Sequence, residues 1–471
     1  MKRLYLIITI LFILLPFSYC KKFILVGPPS TAIVGATAFN NDASATAAVL
    51  AIYSRIMEDP NSFCDGELSL SALCALSADE LDDYGTEPGK QQIYTNSLAV
   101  TNAITYTKWS ELYKYIYTCN AIIGGITRSS LLTSQVRQHL LGEARFIRAF
   151  CFFYLTNLFG DVPLILSTDY QQNMLAAQAT RRQVYQQITE DLLAAKNNLS
   201  EQYLDAADAS TAERVRPNRY AAQALLARVY LYLGDWQHAA AEADTVIGQT
   251  SQYSLLNDLN SVFLKNSAEA IWQLQPVVGG YNTYDGNNFI LNTAPSPSSP
   301  VNNAAIRSVL YNAFEMNDQR KQAWLGSVTG NAQTFYYPFK YKQPYSGSGA
   351  VTEYEMVLRL AEQYLIRAEA KAELNDIAGA KSDLNIIRNR AGLPITAASS
   401  VPDLLTAILH ERQVELFTEW GHRWLDLKRT ERADSTLGAV KGIHWAAADT
   451  LYPIPKGEIQ NDPRLRQNPG Y

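Results

Sequence analysis

The sequence predicts a mainly α-helical protein, in which tetratricopeptide-like helix pairs form a scaffold that carries a loop-rich region and a few short strands. Residues 220–247 show apolar side chains at helical spacing on both sides of Gly234-Asp235. Because glycine can end a helix in the left-handed conformation and aspartate can cap the next helix, this stretch predicts an antiparallel helix pair. Residues 360–387 repeat the pattern around Asp376. Two such pairs indicate a helical repeat scaffold, with two unrelated helical hairpins as the alternative.

Composition excludes one class of partner and favours another. The chain has 471 residues, a net charge of −5 and a pI of about 5.7, so it lacks the basic footprint of a nucleic-acid-binding protein. It also has 28 tyrosines and 7 tryptophans. Aromatic rings with a polar edge can fill helix interfaces, and on a surface they suit sugar or peptide ligands.

The first twenty residues have the features of a lipoprotein signal peptide. Lys2 and Arg3 precede an apolar run over residues 4–15, which is too short to span a membrane. Cys20 follows and is the predicted site of acylation, although the aromatic residues just before it are larger than usual at such a site. Acyl chains would anchor the protein to a membrane without spanning it. Simple cleavage and an uncleaved anchor are the alternatives.

Four further cysteines lie in the body of the chain. Export would place them in a compartment that permits disulfides. Cys64 and Cys74 lie in or near a loop and could pair, whereas Cys119 and Cys151 lie within helical patterns that predict buried, free thiols. None of them has the spacing of a zinc site.

Apolar periodicity predicts five more long helices along the chain. They cover residues 43–57, 109–126, 136–159, 181–199 and 401–417. Residues 59–96 are polar and are predicted to be rich in loops. Residues 252–350 lose the helical period and are dominated by Tyr, Asn, Gly, Ser and Pro, which predicts a small strand-and-loop insertion or long loops over the helical platform. The proline-rich tail is expected to pack across the body.

The charged motifs are predicted to be structural. In the segment 421–429, four side chains are expected to lock the last helix to the tail: His422, Arg423, Asp426 and Arg429. The acidic residues within 79–83 are expected to be solvated or to cap helices. Because the chain lacks a recognisable nucleophile elbow, a zincin motif and an EF-hand pattern, we predict no metal ion, no cofactor and no enzymatic activity. A glycosidase carboxylate pair and calcium binding at 79–83 stay open on sequence alone.

Motifs spread along the whole chain resemble those of the SusD/RagB outer-membrane lipoproteins of the Bacteroidetes. They include, in order, WSELYKYIYTCNAII at 109–123, GEARFIRAFCFFYLTNLFGDVP at 142–163, Asp318-Gln319-Arg320, RLAEQYLIRAEA at 359–370, LNIIRNRAG at 384–392, ERQVELFTEWGHRWLDLKR at 411–429 and QNPGY at 467–471. Many separated motifs in the same order make chance agreement improbable.

The resemblance implies a mainly helical fold with a loop-rich region on top, tethered by lipid at the outer membrane and facing outward. It also implies a partner, a SusC-like TonB-dependent transporter that receives the captured oligosaccharide. The helical repeat face is implied to contact the transporter, and the loops to carry the ligand site. One departure concerns surface export, because Lys21-Lys22 follow Cys20 where an acidic cluster is expected.

The resemblance divides the chain into a signal peptide (1–20), an N-terminal helical region (21–250) and a C-terminal region (251–471) that includes the loop-rich insertion 252–350. A sugar ring stacks its C–H face on an aromatic ring, while its hydroxyls need amide or carboxylate partners. The predicted ligand-binding residues are Tyr281, Tyr284, Asp285, Asn287 and Asn288, with Trp324 as a second platform and Asp65, Asp83 and Tyr84 closing the site.

These features together predict a lipid-anchored outer-membrane protein without enzymatic activity, which binds a nutrient glycan and delivers it to the transporter. Two alternatives from other classes stay open. One is a glycoside hydrolase on a helical scaffold, and the other is a peptide-binding partner of the transporter.

Overall fold

The structure is a computed structural model that describes residues 37–58, 62–64, 66–297, 303–330, 332–344 and 349–471. The predicted signal peptide with Cys20 lies outside the described residues, and so does Asp65. The described chain is mainly helical with short two-stranded sheets, so the predicted fold class is confirmed.

The N-terminal third is built from long helices that surround a buried short one. In chain order the elements are α1 (Asp42–Glu58), α2 (Leu70–Ser77), β1 (Leu81–Asp83), α3 (Pro88–Tyr94), α4 (Ala103–Arg128), α5 (Ser134–Phe159), β2 (Val162–Pro163), α6 (Tyr170–Asn173), β3 (Gln178–Ala179) and α7 (Arg181–Asn198).

The loop-rich prediction for residues 59–96 is wrong for residues 70–77 and 88–94, which form α2 and α3. Ser69 caps α2 by accepting the backbone N–H of Ala72 at 3.1 Å, and every residue of α2 is buried. A helix that is buried on all sides has no amphipathic period, so the periodicity that revealed the other helices is missing here.

The first predicted helix pair is confirmed as α8 (Arg219–Leu233) and α9 (Trp236–Ile247). Gly234 ends α8 in the left-handed region with φ 70°, and the Asp235 carboxylate caps α9 by accepting the backbone N–H of His238. The turn therefore forms for the local reason that the sequence indicated.

The region between the helix pairs combines short strands, short helices and loops. It contains β4 (Ala270–Leu274), α10 (Tyr284–Phe289), β5 (Ala304–Ile306), α11 (Ser308–Ala313), α12 (Gln319–Ala323), β6 (Leu325–Gly330), β7 (Gln333–Pro338) and β8 (Glu355–Arg359). Strand β5 pairs with β1, β4 pairs with β8, and β6 and β7 form an antiparallel hairpin. The insertion is thus joined to both halves of the helical scaffold.

The C-terminal part begins with the second predicted pair, which is confirmed. Its elements are α13 (Leu360–Glu373), α14 (Ile377–Arg390), α15 (Val401–Glu415), α16 (His422–Arg429), α17 (Ala433–Lys441) and α18 (Lys456–Asn461). Asp376 caps α14 as Asp235 caps α9, and α9 packs against α13. The tail prediction is confirmed, since Tyr452 and Ile454 are buried and the Tyr452 hydroxyl lies 2.8 Å from that of Ser77.

Helix α5 forms the centre of the apolar core. The ring of Phe150 makes edge contacts with Trp272 at 5.6 Å and with Trp420 at 5.3 Å, so a helix from the first half is packed against residues from both later regions. Among the described helices, none has a stretch long and apolar enough to span a membrane. All four described cysteines are buried and free, so Cys64 and Cys74 do not pair.

The charged motif at 421–429 forms a network, but its partners differ from those expected. Arg423 binds Asp79 at 2.7 Å, and Asp426 binds Arg412 and Arg429 at 2.7 Å each. The network therefore joins α16 to α15 and to the segment before β1, and the tail is held by other contacts.

A second buried network fastens the insertion to the C-terminal helices. The guanidinium of Arg320 lies 2.7 Å from Glu411 and 2.9 Å from Glu415, with all three side chains fully buried. Arg359 also binds Glu415, at 2.6 Å. Buried charges are tolerated when each has partners of opposite sign, and these partners come from α12, α15 and the end of β8.

Candidate functional site

Two of the predicted aromatic residues lie together at the start of α10. The rings of Tyr281 and Tyr284 are 5.3 Å apart and tilted by 49°, and both side chains are half-buried. The Tyr284 hydroxyl donates a hydrogen bond of 2.7 Å to the carbonyl oxygen of Met57 at the end of α1. This bond holds the ring in place while part of its surface stays accessible.

The next predicted residue, Asp285, faces the interior. Its side chain is 3% exposed and accepts a hydrogen bond from the hydroxyl of Ser69 at 3.1 Å. Burial raises its pKa to about 7, and burial together with the charge of Asp285 raises the pKa of Glu355 well above its usual value. Asp285 is therefore placed to anchor α10 to the core, and a sugar hydroxyl at the surface cannot reach it. Asn288 is also buried, whereas Asn287 is half-buried.

The carboxyl groups of Asp285 and Glu355 line a small cavity in the core. The Tyr341 hydroxyl donates to Glu355 at 3.0 Å and accepts the backbone N–H of Met356 at 2.8 Å. Lys340 and Glu419 complete the polar lining. Burial lowers the pKa of Lys340 to about 8, so this part of the core holds two groups, Asp285 and Lys340, that can change charge near neutral pH.

Asp83 and Tyr84 lie at the end of β1, which pairs with β5 of the insertion. Asp83 is mostly buried and accepts a hydrogen bond of 2.8 Å from the amide of Gln91. The ring of Tyr84 contacts the edge of Phe335 at 5.4 Å, in a small apolar cluster that includes Leu291. The structure thus places Tyr84 beside the β6–β7 hairpin, and the segment that follows α10 leads into the same cluster.

Trp324 is a core residue, so its prediction as a sugar platform is wrong. Its side chain has no exposed surface, and its indole N–H donates to the carbonyl oxygen of Leu259 at 2.9 Å. The ammonium of Lys340 lies 5.0 Å above the ring, and Phe263 packs against it at 5.7 Å. A ring enclosed on both faces cannot stack on a ligand.

An aromatic pair that sequence reasoning missed joins α11 to the hairpin. The rings of Tyr311 and Tyr336 stack with centroids 4.1 Å apart, and the Lys321 ammonium lies 3.8 Å from the centroid of Tyr311. Both tyrosines are half-buried. The available signal was the alternation in β7, where Phe335 faces the cluster and Tyr336 the other side.

The acidic residues within 79–83 are not a solvated cluster as expected. Asp79 and Glu80 are buried, and Asp82 binds Arg307 at 2.7 Å. Burial and the nearby Asp79 raise the pKa of Glu80 to about 8. These acids therefore serve packing and ion pairs.

Within the described residues, one triad of side chains has the spacing to hold a metal ion, and it consists of Glu315, His410 and Glu411. Arg388 lies 2.6 Å from Glu315 and 3.1 Å from Glu411. His410 Nε2 is 2.8 Å from the carbonyl oxygen of Ala313. Since both carboxylates already have a cationic partner, this triad belongs to the ion-pair network.

Comparison with known families and structures identifies the chain. A profile described as "SusD family" matches residues 321–471, and one described as "Starch-binding associating with outer membrane" matches residues 66–231. Together they cover more than half of the sequence. The chain belongs to the SusD-like family. A SusD-like protein from Formosa agariphila, P2, is 25% identical over 92% of this chain and 93% of its own length.

Solved SusD-like structures have the same fold. A SusD superfamily protein from Bacteroides vulgatus has a TM-score of 0.80 at 20% identity and is covered over its full length by 92% of this chain. A laminarin-binding SusD-like protein has a TM-score of 0.75 at 26% identity, with the same coverage. Surface glycan-binding protein A from Bacteroides uniformis has a TM-score of 0.74 at 22% identity, with 91% of this chain and 99% of that one covered.

Proposed function

We propose that this SusD-like protein binds a nutrient glycan at the outer membrane and delivers it to a SusC-like TonB-dependent transporter. In this proposal acylation of Cys20 anchors the protein to the outer membrane, with its folded part facing outward. Family membership along most of the chain is the observation that carries the proposal. The laminarin-binding relative at 26% identity supports a polysaccharide as the ligand class.

The glycan site is proposed on the half-buried tyrosines of the insertion. Tyr284 lies on α10, which the buried Asp285 anchors, and the ring of Tyr281 contacts it from the segment just before that helix. Both rings are held while part of their surface stays accessible. Asn287, in the same short helix, supplies an amide. We propose that Tyr84 and the stacked rings of Tyr311 and Tyr336 contribute further aromatic contacts. Rings that are fixed before binding lose little conformational entropy when a sugar stacks on them.

The protein is proposed to act by binding and not by catalysis. A glycoside hydrolase needs two carboxyl groups on either side of an accessible bond. The carboxyl groups of Asp285 and Glu355 form a close pair, but both are buried in the core. A hydrolase would release reducing ends from mixed polysaccharides, so an assay for reducing ends distinguishes this alternative.

The direct test is a binding screen of residues 21–471 against polysaccharides, starting with laminarin, by calorimetry. We expect the variant Tyr281→Ala/Tyr284→Ala to weaken binding by roughly tenfold or more, and Tyr311→Ala/Tyr336→Ala to show whether the hairpin contributes. The matched control is Tyr106→Ala/Tyr117→Ala, which removes two exposed tyrosines from α4. Unchanged binding in both insertion variants would contradict the site. Peptide binding without glycan binding would favour the alternative of a peptide-binding partner of the transporter.

Anchoring is tested separately. The variant Cys20→Ala in the full chain should lose incorporation of a labelled fatty acid and shift the protein out of the membrane fraction. Co-purification of a TonB-dependent barrel with the acylated protein would support the transporter partner, whereas its repeated absence from cross-linked outer membranes would count against it.

A further inference from the structure

A second pocket lies between the helical body and the C-terminal tail. It has a volume of about 370 Å³ and is bounded by the end of α5, the start of α7, α16 and residues 466–469. None of its lining residues belongs to the insertion. A pocket of this size can hold a group as large as one sugar residue.

The lining of this pocket is cationic. Arg181, Lys428 and Arg466 all contribute to it, and within the described chain none of the three has a carboxylate at salt-bridge distance. Asp161 is the only carboxylate of the lining, and it accepts the backbone N–H of Arg181 at 2.7 Å. The fourth cation, Arg429, is already bound by carboxylates of the core. Positive charge therefore exceeds negative charge in the pocket.

Lys428 is held in the wall by its surroundings. Its ammonium donates a hydrogen bond to the carbonyl oxygen of Asn157 and lies 5.2 Å from the centroid of the Trp424 ring. Burial, followed by the charge of Arg181, lowers its pKa to about 7. An uncompensated cation in such a place is electrostatically unfavourable, and an anion nearby would stabilise it.

The side-chain amides of Gln178 and Asn468 in the walls are hydrogen-bonded within the protein. Gln178 both accepts the backbone N–H of Arg466 at 2.8 Å and donates to its carbonyl oxygen at 3.1 Å. Asn468 donates to the carbonyl oxygen of Phe159 at 2.9 Å. The tail is thereby fixed to β3 and α5, which leaves the cationic side chains as the groups that face a ligand.

We propose that this pocket binds a small oxyanion group, a carboxylate or a sulfate, of the kind carried by acidic sugars. The inference does not depend on the proposed glycan site, because it rests on different residues. The two arginines offer forked N–H donors that match the geometry of an oxyanion, and Lys428 adds a point charge.

Binding in this pocket should depend on pH. The charged or titratable groups around Lys428 are Arg181 on α7, Arg429 on its own helix, Arg466 and Asp161 in the lining, and Cys74 on α2. Burial raises the pKa of the Cys74 thiol to about 12, so it stays neutral, and arginine does not deprotonate in proteins. A bound anion would keep Lys428 protonated, so binding takes up a proton and becomes weaker as pH rises past about 7.

The experiment measures calorimetric binding of sodium sulfate, glucuronic acid and glucose 6-sulfate to the protein at constant ionic strength, with glucose as the neutral probe. We expect the anions to bind and glucose not to bind. Comparing free sulfate with the two sugars shows whether the pocket takes the free ion or the sugar-borne group. Affinity should fall by about tenfold between pH 6 and pH 8.

Variants locate the binding. Arg181→Gln and Arg466→Gln should each weaken it by roughly three- to tenfold, since both side chains are exposed and the substitutions leave the core intact. Arg182→Gln, the exposed neighbour on α7 outside the lining, is the matched control and should bind as the unaltered protein does. Lys428→Arg should keep the binding but lose its pH dependence.

Several results would overturn the proposal. These are the absence of anion binding, equal binding of glucose, or equal losses in Arg181→Gln and in the Arg182→Gln control. A pH dependence that persists in Lys428→Arg would also contradict the assignment.

Discussion

Arg228 and Glu362 join the two helix pairs through a buried, two-pronged ion pair. The guanidinium of Arg228 on α8 donates two hydrogen bonds of 2.6 Å to the carboxylate of Glu362 on α13, and both side chains are 1% exposed. Repeat units stack mainly through apolar contacts. Here a buried ion pair also determines how the helix pair α8–α9 lies against the helix pair α13–α14.

We expect Arg228→Leu to lower the free energy of unfolding by about 3–5 kcal/mol, because the Glu362 charge is then buried without its partner. The double variant Arg228→Leu/Glu362→Leu should recover much of this loss. The control is Arg219→Leu on the same helix, whose pair with Glu201 is largely exposed and should contribute at most about 1 kcal/mol. Urea unfolding measures all three, and equal losses in the single and double variants would contradict the role of the pair.

A second prediction concerns Asp285. Its folded pKa of about 7 lies above the value for an exposed aspartate, so the neutral carboxyl is favoured in the folded state. The stabilisation that the neutral carboxyl gives the folded state is complete at pH below about 4 and is lost as pH rises through about 7. Over this range the free energy of unfolding falls by at most about 1.4 kcal/mol per pH unit. The unaltered protein should therefore lose stability relative to Asp285→Asn between pH 5 and pH 8.

Urea unfolding at both pH values measures the difference for Asp285. Asp258→Asn is the matched control, because Asp258 is exposed and hydrogen bonds from Ser261 and Asn260 lower its pKa, so its contribution does not change between pH 5 and pH 8. Identical pH profiles for the unaltered protein and for Asp285→Asn would contradict the role of the buried pair.

A third prediction compares two adjacent glycines in α4. A Cβ atom at Gly125 would lie 2.1 Å from the ring of Phe39, whereas at Gly124 its nearest neighbour is the flexible end of Arg128 at 3.2 Å. We expect Gly125→Ala to destabilise the protein by about 1–3 kcal/mol through this overlap. Gly124→Ala should stabilise it by about 0.5–1 kcal/mol, because alanine favours the helix. Thermal unfolding with the opposite order would contradict the close packing at Gly125.

A fourth prediction separates stability from binding. Trp324→Ala should lower the free energy of unfolding by about 3–5 kcal/mol, because it empties a fully buried site. Tyr281→Ala, at a half-buried position, should cost less than about 2 kcal/mol and should reduce glycan affinity instead. Chemical unfolding and calorimetry on the same preparations give both values. A Trp324→Phe variant that folds but loses binding would contradict the assignment of Trp324 to the core.

Local features explain which helices the sequence could predict. The pair α8 and α9 was predictable because Gly234 ends α8 and Asp235 caps α9 through contacts with residues only a few positions away. Asp376 caps α14 in the same local way. Helix α2 was missed because it is surrounded by other elements, so no polar face marks its period. Whether a helix is covered on one side or on all sides depends on distant parts of the chain.

The candidate site shows the same division. The sequence correctly marked residues 281–288 as aromatic and amide-rich, but it could not tell that Asp285 points inward to Ser69 and Glu355. Trp324 was predicted to be a second sugar platform because it is an aromatic residue within the loop-rich insertion. Its true neighbours are Leu259, Phe263 and Lys340, which only the folded chain brings together.

The sequence by itself determined the helical class, the two capped helix pairs and the family, because spacing, capping residues and ordered motifs are properties of the chain read in order. Only the tertiary structure decided which tyrosines stay accessible, which carboxyl groups are buried as a pair, and where Arg181, Lys428 and Arg466 meet. Exposure and electrostatic surroundings depend on contacts between residues hundreds of positions apart, and no local pattern encodes them.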